Sequence, residues 1–356
     1  MIHLVASAQP LQPPVQLHPV PRGVAVLLNA RAKAVNKKVL RTLSLIVPRE
    51  DLFLSDSDEE AAEIADWVVA RRYQTVFTGG GDGTFVAWIN RIIDAAERRH
   101  QRPPRFGVLA LGTGNAVAEM VGASPRHHAS DLSRFLAGEF NGTRRLDLVT
   151  CDGRRTPFAG VGIDAAILND YLWVKDQLAG TPLQALGCGV AGYGLAVALR
   201  AAPRTLLERR PAYCEIVNTG RQAWRLDDQG CRVGPVIGPG ELLYAGPCMM
   251  AGASTVPFYG MGMRIFPHAG KVRGLMALRV VSDLAVSTML LNLHRIRSGD
   301  FAHDKVLDFH ADQVALRFER PVPLQIGGDA EGWRESVSFG MAPTAVELVD
   351  FRLATA

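Results

Sequence analysis

From Gly23 onward, short apolar runs alternate with longer amphipathic stretches. VAVLLN is apolar up to its last residue, the pattern of a strand buried on both faces, and a polar helical stretch follows around 37–45. A second repeat of this rhythm runs from a strand at 51–54, through SDSDEEAAEIADWVVARR, to a strand at 74–78. Ser57 or Asp58 can cap the helix in its middle. A third repeat holds a helix at 83–99, the polar hinge HQRPPR, a strand at 106–111 and a helix at 115–121. Strand and helix in alternation predict a parallel sheet covered on both faces. After Asn141 the rhythm changes to short strands, at 146–150, 213–217, 278–281 and 314–318, with helical interruptions at 165–177, 183–201 and 284–297. The pattern predicts the α/β class: an N-terminal domain with a parallel sheet over 22–141, then a larger mainly-β domain over 142–356. The last strand has the option of returning to the first domain, and residues 1–21, rich in proline, read as a flexible tail.

Composition changes this picture little. At 356 residues the chain suits two domains, and 48% hydrophobic with 21% charged residues is ordinary globular content. A net charge of +4 and a pI near 8.9 suit anionic partners without choosing among nucleotide, acidic headgroups and nucleic acid. The five cysteines form no C-x-x-C pair, which fits free thiols in a reducing cytoplasm. The N-terminus lacks the basic start and long apolar run of a secretory leader. Residues 177–199 are uncharged and long enough to cross about 30 Å of hydrocarbon. Pro182, Gln184 and five glycines dilute them, so they read as a buried or interfacial helix.

Three motifs carry chemistry. TGGGDGTF at 78–85 joins an apolar strand to an amphipathic helix, so Gly80, Gly81 and Gly83 can turn backbone N–H groups toward a phosphate at a helix start. Thr84 adds a hydroxyl, and Asp82 is expected either to face a Mg²⁺ ion or to cap the helix. LGTGNA at 111–116 also leaves a strand and opens a helix, which brings Gly112, Thr113, Gly114 and Asn115 to the same sheet edge. IGGDAEG at 326–332 sets Asp329 and Glu331 two residues apart, on one side of an extended chain. Asp329 is a candidate proton acceptor for an attacking alcohol, and Glu331 can orient it or help to hold the metal. The histidines at 268, 294, 303 and 310 lack metal-site spacing, and Trp67 and Trp88 read as core.

GGGDGT followed by LGTGN, FAGVGIDA at 158–165 and YGMGMRIFPHAGKVRGLMALRVV at 259–281 occur in an order that resembles the diacylglycerol kinase and sphingosine kinase superfamily, especially its bacterial members. The resemblance spans about 23–349. It implies a lipid kinase that moves the γ-phosphate of ATP, with Mg²⁺, to the hydroxyl of diacylglycerol, a sphingoid base or another amphiphile. It also implies Asp329 as base, Glu331 beside it, and Asn29 with the two glycine loops around the nucleotide. The expected setting is cytoplasmic and peripheral at a membrane that holds the substrate, with no nucleic-acid partner and a homodimer left open. Three residues depart from the family pattern: Ala116 stands where Asp is common, Ala330 where Asp-Gly-Glu has its glycine, and Ala30 where Asn-Pro has its proline. An NAD kinase shares a GGDGT loop and a β-rich second domain, but no NTLGF-like segment follows the second loop here. A catalytically silent lipid-binding or nucleotide-binding homologue is the other alternative.

Overall fold

A computed structural model of the chain describes residues 23–32, 34–112, 114–140, 142–166, 168, 211–259 and 262–353. The tail at 1–21, most of the apolar segment at 165–201 and Thr113 lie outside the described residues. The chain divides into two compact units: one reaches Leu146 and takes in the chain end from Ala345, and the other is Asp147–Thr344.

The first unit opens with β1 (Val24–Asn29), whose Ala25 to Leu28 are fully buried, and α1 (Lys37–Leu43). Then come β2 (Leu52–Ser55), α2 (Asp58–Ala70), β3 (Thr75–Gly80), α3 (Asp82–Arg98), β4 (Arg105–Ala110), α4 (Ala116–Met120), α5 (His128–Leu136) and β5 (Thr143–Leu146). Ser57 caps α2 by accepting from Glu60 N at 3.1 Å, and the Glu60 carboxylate accepts from Asp56 N at 2.9 Å. This reciprocal cap explains the abrupt start of the acidic helix. α3 buries Phe85, Ile89, Ile92, Ile93 and Ala96 at helical spacing.

The second unit begins with β6 (Val149–Cys151), β7 (Arg154–Thr156) and β8 (Phe158–Gly162). After the undescribed stretch come β9 (Ala212–Asn218), β10 (Ala223–Leu226), β11 (Arg232–Ile237), β12 (Leu242–Cys248), β13 (Met250–Ser254) and β14 (Met276–Val281). Two short helices, α6 (Val286–Leu291) and α7 (Leu293–Ser298), lead to β15 (Val306–Ala311), β16 (Gln313–Ile326) and β17 (Asp329–Met341). Among the described residues, β6 to β17 form a twelve-stranded sheet whose pairs are antiparallel. β16 pairs with β9 through its first half and with β8 near its end, and its pairing with β17 changes register between Arg317 and Val322. Leu278, Phe309, Leu316, Leu324 and Ile326 are central in its core.

The last strand, β18 (Val346–Val349), belongs to the first sheet, in the order β2-β1-β3-β4-β18-β5. It runs parallel to β4 and antiparallel to β5, so the sheet is parallel except at that edge. Beyond it, buried Asp350 accepts from Arg144 Nε at 2.7 Å, and Phe351 packs on Phe140.

The expected α/β unit followed by a larger mainly-β unit is what the structure shows, with local corrections. The single strand read at 146–150 is two strands, because the chain leaves one sheet at Leu146 and enters the other at Val149. The helix read at 284–297 breaks at Asn292 into α6 and α7. α5 was missed: it opens with His and Ala, and the side chain of His127 at its N-cap makes no capping hydrogen bond, so no capping residue announces it.

Candidate active site

In a parallel sheet all strands end at one edge, and register sets Leu28 opposite Gly79 and Gly80 opposite Ala110. Asn29, the glycine loop at 80–84 and the loop at 112–115 therefore share the carboxyl edge of the first sheet. Asn29 Oδ1 accepts from Arg31 N at 2.9 Å, which makes a local turn beyond β1. Gly81 is the N-cap of α3 and supplies no side chain, so the first-turn amides of this seventeen-residue helix carry no side-chain cap. Backbone amides and the helix dipole at such a start are suited to receive an anion.

The two loops touch. A Cβ at Gly112 would lie 2.1 Å from Gly81 Cα, a distance that only glycine allows. Asn115, at φ 51° and ψ 36°, locks the second loop by accepting from Gly112 N at 3.0 Å while its amide donates to Gly112 O.

The Asp82 carboxylate reaches the second loop: Oδ2 accepts from Ala116 N at 2.9 Å and Oδ1 from Val117 N at 3.1 Å. The carboxylate of one glycine loop thus caps the helix that leaves the other. This explains how an acidic residue fits within an anion cradle, because the α4 amides take up its charge. It also explains why Ala116 is compatible with the loop: the contact uses the backbone N–H of that position, and the alanine side chain is fully buried.

In the second unit, IGGDAEG forms a two-residue hairpin between β16 and β17. Gly327 and Gly328 adopt φ values of 60° and 87°, and Ile326 pairs with Asp329. Asp329 is the first residue of β17, with its neighbour Ala330 paired to Gln325. Ala330 is not among the positive-φ residues, so the alanine meets no backbone conflict in place of the family glycine. Partial desolvation pushes the Asp329 carboxyl upward; the Arg154 guanidinium opposes this and the Glu331 charge adds to it. Asp329 itself sits at the exposed hairpin tip. Glu331 is paired with Arg154 of β7.

As metal ligands the residues fit poorly. Asp82 accepts from the α4 amides and Glu331 is paired with Arg154. Among the described residues no three His, Cys, Asp or Glu side chains gather where they could hold an ion. The buried histidines are structural in their surroundings. His268 lies by Asp308, which Arg279 grips through two bonds of 2.8 and 2.7 Å, and His310 contacts the His268 carbonyl.

Sequence reasoning missed a buried group in the second unit. Asp164 of FAGVGIDA, Tyr259 at the head of the later glycine-rich motif and Gln325 just before the hairpin are hydrogen-bonded together. They lie 66 to 161 positions apart, beyond the reach of any local periodicity.

A glycine-loop α/β unit ahead of an antiparallel β unit defines a kinase-like protein of two units. The diacylglycerol kinase catalytic domain model matches residues 24–151, and the YegS C-terminal NAD kinase beta sandwich-like domain model matches 217–350. Together the two matches support a likeness to the diacylglycerol kinase and sphingosine kinase-like family. Two solved structures from Bacillus anthracis str. Sterne, both described as candidate diacylglycerol kinases, share its fold. One has 15% identity, a TM-score of 0.61 and coverage of 92% of this chain and 97% of its own. The other has 13% identity, a TM-score of 0.60 and coverage of 94% and 98%. No curated protein sequence matches the chain.

Proposed function

We propose that the chain is an ATP-dependent kinase that phosphorylates the hydroxyl of a membrane lipid such as diacylglycerol or a sphingoid base. The observation that carries this reading is the pair of glycine loops clipped together by Asp82 beneath the uncapped start of α3. Amides of residues 80–84 would receive the phosphates of ATP, and the loop at 112–115 would support them. Asp329 would take the proton of the lipid hydroxyl as its oxygen attacks the γ-phosphorus and ADP leaves. A carboxyl raised from its ordinary value is a better proton acceptor for that step. A divalent cation carried by the nucleotide would neutralise phosphate charge, and no residue described here is assigned to it.

No helix among the described residues is long and apolar enough to cross a membrane. Peripheral attachment at the bilayer surface is part of the proposal. Leu291 and Leu293 are 80% and 52% exposed, and Arg295 and Arg297 follow them on α7, an apolar and basic combination suited to an anionic lipid surface.

The test is transfer of labelled phosphate from ATP to a panel of lipid alcohols in mixed micelles, with NAD as a control acceptor. A labelled lipid supports the reading. A labelled NAD, or nucleotide binding without turnover on any acceptor, replaces it with one of its two rivals.

A further inference from the structure

We propose that Gln325 is a positioning residue for Asp329, with its amide held in one orientation by Tyr259 and Asp164. The inference rests on the reading of Asp329 as the base. Gln325 is 2% exposed and lies on β16 between Gly160 of β8 and Ala330 of β17. Its Oε1 accepts from the N–H of Gly328, the second turn residue, at 2.9 Å. Its Nε2 donates to the Tyr259 hydroxyl and stands 3.5 Å from Asp164 Oδ2. The Tyr259 hydroxyl donates in turn to Asp164 Oδ2.

The polarity of this chain runs one way. A backbone N–H can only donate, so the amide oxygen of Gln325 must face Gly328, and its NH₂ must then face the Tyr259 oxygen, which accepts. A flipped Gln325 would set its NH₂ against the Gly328 N–H, donor against donor, and release the turn. The space for the cluster is built in: a Cβ at Gly160 would lie 2.4 Å from Asp164 Oδ2 and 2.5 Å from the Tyr259 hydroxyl oxygen.

The turn is otherwise anchored by Gly327 N donating to Phe158 O at 3.0 Å. Gly328 N is the amide immediately before Asp329, and Gln325 is what holds it. Proton abstraction depends on where a carboxylate sits to within a fraction of an ångström. A buried glutamine at the foot of an exposed hairpin provides that constraint while touching no reactant itself.

Backbone hydrogen exchange and steady-state kinetics on the full chain test this together. Gln325→Leu is expected to speed exchange at the Gly328 amide at least 10-fold and to lower kcat about 10–100-fold. KM for ATP should stay within about twofold, because the nucleotide loops belong to the other unit. Tyr259→Phe leaves Gln325 in place and removes only the hydroxyl that orients it, so it should show the same pattern at smaller amplitude. It also serves as the test if Gln325→Leu fails to fold. Unchanged exchange at Gly328 in a folded Gln325→Leu variant overturns the proposal, as does full kcat in that variant when Asp329→Asn is inactive. Full turnover in Asp329→Asn overturns the base assignment itself, and the positioning proposal falls with it. The two failures are therefore told apart by which variant stays active.

Discussion

Replacing Asp82 separates a structural clip from a carboxylate that acts on phosphate or metal. Asp82→Ala removes both acceptors of the Ala116 and Val117 amides, at residues that are fully buried. A hydrogen bond to a charged group contributes about 1.5–3 kcal/mol net, so two of them set a ceiling of about 3–6 kcal/mol. α4 has only five residues and can fray to let water reach those amides, which returns part of that energy. A loss of about 2–4 kcal/mol in the local stability of α4 is the resulting expectation, about 30-fold to 10³-fold faster amide exchange at one decade per 1.4 kcal/mol. Asp82→Asn keeps one acceptor oxygen and should fall about midway.

Exchange measured by NMR or by mass spectrometry on a peptide covering residues 111–121 reads this directly. The strands β3 and β4 serve as internal references. Nucleotide affinity should fall in parallel, since the second loop is no longer held against Gly81. If α4 remains as protected in folded Asp82→Ala as in the wild type, the clip is not what Asp82 contributes. Loss of turnover in such a variant would then point to a direct role at phosphate or metal.

Asp329→Asn should lower kcat by about 10²–10⁴-fold with little change in KM for ATP, checked by the same lipid transfer assay. Because the base must be unprotonated and its carboxyl is raised, the acid limb of the wild-type kcat profile should lie above the ordinary value of an aspartate; a limb at or below that value would contradict the role. Burial raises the Asp164 carboxyl while the Tyr259 hydrogen bond opposes the shift, and its Oδ1 is buried without a partner. The folded state therefore holds that proton more tightly than the unfolded chain, so this stabilising contribution is complete below the unfolded pKa and is lost as pH rises through the folded one. Asp164→Asn should flatten the fall of Tm with rising pH across that window, as followed by thermal melts. Leu291→Ser with Leu293→Ser should reduce cosedimentation with anionic vesicles at low salt, and unchanged binding would move the lipid contact elsewhere.

How legible each part was in the sequence follows from how local its physics is. The first sheet could be read almost strand by strand, because a buried parallel strand is a continuous apolar run and each helix between carries its own amphipathic face, as α3 does. The glycine loops were legible for the same reason: Gly81 acts where it stands, at the start of the helix it caps. What Asp82 does was not, since its partners are amides 34 and 35 positions away and nothing in GGGDGT distinguishes a carboxylate facing an ion from one capping a second helix. The departures at Ala116 and Ala330 illustrate the converse. Both looked like losses when residue types alone were compared, yet one position contributes a backbone N–H and the other an ordinary strand conformation, neither of which depends on the side chain that changed. Gln325 lies furthest from the reach of sequence. Its neighbours on β16 are apolar and its partners come from two other motifs, so only the register that sets it between Gly160 and Ala330 makes an isolated glutamine into the support of a hairpin.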